Sequence, residues 1–346
     1  MDLQLLVETI KADKCVLLLG PEIITTETGQ NFQSALIEYL NIPENKNIIK
    51  YYDNDDFFLF NQKDELKNRM SVFFKIKSFY QTTKPSEILL RKIAQIPINL
   101  VVSLNPDNFF YEILKKNSIN AEFSYFNKSK PNKDIEKVPD KFNPLIYNLM
   151  GDFSNMETLV LTHQDLFDFF EGAISKSKLP DNLRSLLNEA YSYIFVGFKF
   201  DKWYVQLLIR LLKLSTNKFS IETHATDETK AFYSEQFDLN FTELSNEEFI
   251  DNLLAELKKE SVELRQLTDE IPDDILKIKL LIEKAKIDEA GVELKKMFPD
   301  KETEIIMQLT RYNSIKEQQK NGVIDIKDYN LTLQQIKYGL LEMLKN

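Results

Sequence analysis

The sequence predicts an α/β protein, a doubly wound parallel sheet with helices on both faces, followed by a small all-α domain. Three observations carry this expectation. Short apolar runs recur through the first 260 residues and alternate with stretches of helical spacing, the pattern of strands buried on both faces and joined by helices. The chain's 346 residues are more than one compact core usually organises, so two domains of unequal size are expected. Aromatic residues are distributed unevenly: of 25 Phe, 14 Tyr and one Trp, only Phe298, Tyr312, Tyr329 and Tyr338 lie beyond residue 261. The boundary is therefore placed near residue 262, with an α/β domain over 1–261 and a helical domain over 262–346.

The strands expected in the first domain are Cys15 to Leu19, Ile98 to Ser103, Leu145 to Leu149, Thr158 to Thr162, Tyr191 to Val196 and Phe219 to Thr223. The helices between them are expected at Asn31 to Leu40, Asp107 to Lys116, Gln164 to Phe170, Asp201 to Leu214 and Asn246 to Glu260. In the fourth of these, Trp203, Leu207, Leu208, Leu211 and Leu212 make one apolar stripe. This is a Rossmann-like order. Residues 51–80 form a Phe- and Tyr-rich insertion whose later part has helical spacing (Met70, Phe73, Phe74, Phe79), suited to covering a sheet edge or a pocket mouth. In the tail, Ile305, Ile306, Leu309 and Ile315, and then Leu333, Ile336, Leu340, Leu341 and Leu344, fall at helical spacing among Lys and Glu.

Composition excludes several functions. With Lys+Arg of 44 against Asp+Glu of 54 the formal charge is -10, the wrong sign for a broad nucleic-acid surface, and no direct nucleic-acid partner is expected. A single cysteine, Cys15, and two histidines, His163 and His224, cannot build a four-cysteine or two-cysteine, two-histidine zinc site, and no metal is expected. No intrachain disulfide is possible. Met1 leads into a polar amphipathic stretch rather than a signal core, and no apolar run reaches the ~18 to 20 residues that span a bilayer, so a cytoplasmic protein without a membrane role is expected.

In an open parallel sheet, ligands bind outside the carboxyl ends of the strands, so the residues after each strand carry the functional information. Leu19-Gly20-Pro21-Glu22-Ile23-Ile24-Thr25 is a strand running into a loop that could bring backbone N–H groups to a diphosphate, or simply make a tight turn. Ser103-Leu104-Asn105-Pro106-Asp107 ends in an amide and a carboxylate, able to hold a ribose and a water, or to cap the next helix. Asn148-Leu149-Met150-Gly151-Asp152 is followed by Leu159-Val160-Leu161-Thr162-His163, and the last segment is Phe195-Val196-Gly197-Phe198-Lys199-Phe200-Asp201.

In this order, the four segments resemble the sirtuin-like domains of bacterial antiphage defence effectors, whose pattern is strand-GAGxS, TTNYD, HG before an apolar strand ending in threonine, and GYSxxD. The resemblance covers about the first 240 residues. It implies binding of NAD as substrate and its cleavage to nicotinamide and ADP-ribose. Gly20 matches the first glycine of the phosphate loop, which Pro21, Glu22 and Thr25 extend. Asn105 and Asp107 match the asparagine and aspartate of the second motif, Met150 and Gly151 stand at the third, and Gly197, Phe198 and Asp201 at the fourth.

The departures matter equally. Glu22 and Ile24 replace the second glycine and the serine of the first motif, and Glu22 would repel a phosphate. Met150 stands where the family has its catalytic histidine, and a thioether cannot accept a proton. That leaves Asn105, Asp107 and His163 as the catalytic candidates, His163 as a general base in place of the missing one or as an ordinary helix cap. His224 is read as structural. Expelling nicotinamide needs mainly ribose positioning and water control, because the leaving group is neutral. The lack of cysteines excludes the zinc module of sirtuin deacylases.

Gln308 to Leu344 resembles the small helical effector-associated domains of bacterial conflict systems, which pair with a like domain on another protein. This implies a protein partner through the tail and self-association of the chain. Two alternatives stand beside the NAD hydrolase: a catalytically inactive scaffold or nucleotide-binding signalling module, for which Met150 and Glu22 speak, and a nucleoside-transfer enzyme on the same fold.

Overall fold

The computed structural model describes residues 3–174, 179–221, 225–268 and 273–345. His224 and Thr223 lie outside the described residues. After a first helix (α1, Leu3–Lys11), the chain enters β1 (Cys15–Leu19) and α2 (Phe32–Leu40). A hairpin follows (β2, Ile48–Tyr52; β3, Phe57–Phe60), then α3 (Glu65–Thr82), α4 (Ile88–Ala94), β4 (Leu100–Ser103), α5 (Phe109–Lys116), β5 (Glu122–Tyr125) and β6 (Leu145–Asn148). The second half of the sheet is built by α6 (His163–Ile174), α7 (Asp181–Glu189), β7 (Ser192–Val196), α8 (Trp203–Leu212), β8 (Asn217–Ile221), α9 (Asp227–Phe237), β9 (Leu239–Thr242) and α10 (Asn246–Lys259).

Seven strands pair in the order β5-β6-β4-β1-β7-β8-β9, and every pairing is parallel. This is the expected Rossmann-like class. From β1 the chain builds one side with β4, then the edge strand β5, then β6 inserted between them, and returns to build the other side outward through β7, β8 and β9, so the topological switch point lies between β1 and β7. The central strands β1, β4, β6 and β7 are buried at every residue. They are predominantly apolar for that reason, with polar residues only at strand ends.

The insertion at 51–80 contributes the second strand of the hairpin and the helix α3, whose buried face is Val72, Phe73, Ile76 and Phe79. One expected strand is corrected. Thr158 to Thr162 is a single 3₁₀ turn (Met156–Thr158) followed by irregular chain. Its apolar residues are buried, Leu159 at 0% and Leu161 at 8% exposure, but the backbone N–H groups of Leu161 and Thr162 go to Asp165 Oδ2 and not to a neighbouring strand. Helix starts also shift: α5 begins at Phe109, not Asp107, and α8 at Trp203, not Asp201.

The chain divides into two compact units. The first comprises residues 1–24, 36–83 and 89–268, and the second 25–35, 84–88 and 269–346. In the first, the guanidinium of Arg265 donates to the carbonyls of Ile96, Ile98 and Lys141 at 2.7 to 3.1 Å, and burial lowers its pKa to about 10. In the second, α11 (Asp273–Glu283), α12 (Ile287–Met297), α13 (Glu302–Lys320) and α14 (Ile326–Glu342) enclose a core of Ile278, Ile282, Leu294, Ile305, Ile336 and Leu340. Buried Lys337 donates to the carbonyls of Thr28 and Glu283, and the Glu283 carboxylate accepts from Thr25 Oγ1 and Ser86 Oγ. The segment after residue 24 is thereby part of the helical unit.

Candidate functional site

The loops after β1 and β7 meet at the switch point. Gly20 donates its N–H to Val196 O at 2.8 Å and Glu22 to Gly197 O at 3.0 Å. A Cβ on Gly20 would lie 2.2 Å from Gly197 O, and Gly197 itself has φ +72, open to glycine and strained for other residues. Gly151, at φ +85, packs on Thr158 in the same way. These glycines are needed for backbone approach whether or not a ligand binds.

Beside this seam, β4 and β6 each end on a polar residue, and Ser103 and Asn148 are partners in the register. Together with Asn105 and Asp107 they line a cleft walled by Ile24 and Phe110, with a cavity of about 10 Å³, room for about one water. Asn105 Nδ2 donates to Gly20 O at 3.1 Å, and its backbone N–H to Ser103 Oγ at 3.0 Å. Asp107 is 9% exposed. Its Oδ1 accepts from Phe109 N, two residues on, at 3.0 Å, while Oδ2 is buried without a hydrogen-bond partner among the described residues. Burial, with a smaller contribution from the charge of Asp152, raises its pKa to about 7, against the lowering pull of the Phe109 N–H. A carboxyl poised near neutrality can take a proton at physiological pH.

The other expected site residues fall elsewhere. Pro21, Glu22 and Phe198 line a neighbouring cavity with Lys199 and Lys202. Glu22 is paired with Lys199 at 2.8 Å, so its charge is compensated. Met150 is buried at 8% exposure in the hydrophobic core with Leu104 and Phe195. Asp201 is exposed. Thr25 belongs to the second unit, with its hydroxyl on Glu283 at 2.8 Å. His163 opens α6, where Nε2 meets Asp55 Oδ2 at 2.9 Å between the ring edges of Tyr52 and Phe57; it is not among the residues lining the Asn105 cleft.

A buried ionic cluster supports the far side of the β6 loop. Asp165 Oδ1 and Oδ2 accept from Arg69 Nη2 at 2.8 and 2.7 Å, and Lys128 Nζ lies 2.8 Å from Oδ1. Burial alone would raise the Asp165 pKa, but the charges of Lys128 and Arg69 outweigh it and hold the carboxyl below the usual range. Thr162 and Asp165 also cap α6 reciprocally through Thr162 Oγ1 and Asp165 Oδ2. Arg69→Leu is expected to destabilise the fold by about 3 kcal/mol, because it removes one partner of a buried charge. Since a lowered acid pKa stabilises above the unfolded pKa and that stability is lost as pH falls, the gap should narrow in acid. Denaturant melts of both proteins at neutral and acid pH would show it, and equal midpoints at neutral pH would refute it.

Asn148 is the site residue that reading the sequence passes over. Its signal is a polar residue closing an otherwise apolar strand, Leu145-Ile146-Tyr147-Asn148.

With this geometry in place, the comparisons with known proteins are decisive for two stretches. Residues 99–253 match the SIR2-like domain family. The chain carries a SIR2-like domain. Residues 273–346 match Effector-associated domain 11, which includes the expected Gln308 to Leu344 segment and extends back through α11. The SIR2-like match includes Asn105, Asp107, Asn148 and Gly197; the Gly20 loop lies before it. A solved chain described as "Structural Basis for the Mechanism and Regulation of Sir2 Enzymes" aligns at 10% identity over 75% of this chain and 99% of its own length, with a TM-score of 0.38. No curated protein matches. Among the described residues no group of three or more His, Cys, Asp or Glu side chains is arranged to hold a metal ion, and no helix is long and apolar enough to cross a membrane.

The unpartnered acceptors of Asp107 and Asn148 suit a group that brings hydrogen-bond donors. In the Gly20 loop, Pro21 has no N–H, and the N–H groups of Gly20 and Glu22 donate to Val196 O and Gly197 O.

Proposed function

We propose that this chain is a bacterial antiphage defence effector whose SIR2-like domain hydrolyses NAD to nicotinamide and ADP-ribose once its effector-associated domain engages a sensor or a second copy of the chain. The observation that carries the reading is Asp107: a buried carboxyl with one oxygen unpartnered, a pKa of about 7, and a place beside Asn105 at the carboxyl ends of the central strands. In the reaction, Asn105 positions the ribose and Asp107 accepts the proton of the attacking water. Cleavage of the glycosidic bond builds positive charge on the sugar, and the ionised Asp107 stabilises it. Met150 takes no part, being packed in the core.

Control by assembly is supported by the match of residues 273–346 to Effector-associated domain 11. The inactive-scaffold reading draws on Met150 and the spent loop donors. Purified full-length protein, alone and with a partner bearing a like tail, should release nicotinamide from NAD chiefly in the assembled state. No release in any assembly state, with Asn105→Ala indistinguishable from wild type in cells, would favour the scaffold.

A further inference from the structure

The cleft has a third polar wall, and it is made by Asn148. This residue ends β6 with no exposed surface. Its Nδ2 donates to the main-chain oxygen of Asp107 at 2.7 Å, a bond that sets the plane of the amide. Its Oδ1 is buried with no hydrogen-bond partner among the described residues, as is Asp107 Oδ2. Both side chains line the same cavity of about 10 Å³. A buried acceptor left unpaired costs about 1–3 kcal/mol, so two in one small cleft call for a role. A single molecule of matching size that brings two donors is water.

We propose that Asn148 is a positioning residue for the hydrolysis: its Oδ1 accepts one hydrogen of the attacking water while Asp107 Oδ2 accepts the other. This rests on the reading of the site as an NAD hydrolase. The step balances. The water oxygen bonds to the anomeric carbon, the carbon–nitrogen bond breaks with its electron pair leaving on neutral nicotinamide, and the water's proton passes to Asp107 Oδ2 and then to solvent. Asn148 takes no proton. It aims the water's lone pair at the sugar, and the bond from its Nδ2 keeps the Asp107 backbone in register with that aim.

Methanol competes with water for the sugar, so hydrolysis in water–methanol mixtures reads the water's positioning directly. Asn148→Ala is expected to lower kcat by about tenfold. KM for NAD should stay within about twofold, because the ground-state contacts of the sugar are kept. The ratio of methyl ADP-ribose to ADP-ribose should rise at least about threefold. Asn148→Asp, which keeps an acceptor but adds a charge beside Asp107, should move the pH–rate profile upward. If Asn148→Ala does not fold, Asn148→Ser is read instead.

An unchanged methanol ratio in an active wild-type background overturns the assignment. A raised KM with unchanged kcat does so too, and makes Asn148 a substrate contact. A wild type that releases no nicotinamide in any assembly state overturns the hydrolase reading itself, and this inference with it.

Discussion

Asp107→Asn should release nicotinamide from NAD at about a hundredth of the wild-type rate or less, and should nevertheless be the more stable protein at pH 8. Both effects come from one carboxyl. Burial raises its pKa from 3.8 to about 7 in the folded state, with the Asp152 charge adding to the shift. In the unfolded chain it titrates near the ordinary carboxylate value. Between pH ~4 and ~7 the unfolded chain has therefore lost a proton that the folded state still holds, so wild-type stability falls with pH across that window and levels off above it. At about 1.4 kcal/mol per unit, the full penalty is on the order of 4 kcal/mol. Asparagine has no charge to bury, so the two proteins should melt alike near pH 4 and separate by pH 8. Wild-type nicotinamide release should in turn rise through pH ~7 as the base form appears. Melting curves at the two pH values and the pH–rate profile test this together. Parallel melting at both pH values, or a variant with undiminished release, would sink it.

Gly20→Ala is expected to cost more than about 3 kcal/mol of stability with no nucleotide present. The new Cβ would lie 2.2 Å from Gly197 O, 2.6 Å from Gly197 C and 2.8 Å from Phe198 Cα, all backbone atoms that cannot swing aside. The φ of -95 at Gly20 is ordinary, so the cost is steric crowding and not torsional strain. Relief requires parting the loops of β1 and β7, which breaks the Glu22 N–H bond to Gly197 O and shifts the carbonyl that holds Asn105. The melting temperature should drop on the order of 10 °C, at roughly 2–4 °C per kcal/mol for a domain of this size. Thermal melts of the NAD-free proteins settle it. If the glycine served only to admit a diphosphate, the ligand-free stability would be unchanged, and that result would contradict the packing role.

How far the fold was legible followed from where each strand sits. β1, β4, β6 and β7 are central and buried on both faces, so each is apolar over most of its length, with polar residues only at the ends (Ser103, Asn148, Ser192). The edge strands β5 (Glu122-Phe123-Ser124-Tyr125) and β9 (Leu239-Asn240-Phe241-Thr242) are half-exposed and carry polar residues among their apolar ones, and neither was expected. The run at Thr158 to Thr162 misled because apolar content reports burial, and burial does not require a strand. Asp165, three residues beyond, captures the N–H groups that a ladder would need.

The candidate site was legible to a similar degree. Asn105 and Asp107, two residues apart after a buried strand, share one cleft. His163 lay equally close to an apolar run, yet it pairs with Asp55, 108 residues earlier, on a hairpin whose position no local pattern announces. Asn148 carried only the faint mark of a polar residue closing an apolar strand.

Periodicity, composition and the order of short motifs are local properties, and they were enough to establish the sheet class, the helical tail, and the absence of the cysteines a zinc module needs. The ionisation of Asp107, the contact of Gly20 with Gly197 and the two unpaired acceptors are not local. Each depends on burial and backbone approach between segments far apart in the chain, such as Gly20 and Gly197 or Asp107 and Asn148, and desolvation and steric exclusion act through space. The residue types at the strand ends were written in the chain; packing alone turned one of them into a carboxyl poised near neutrality.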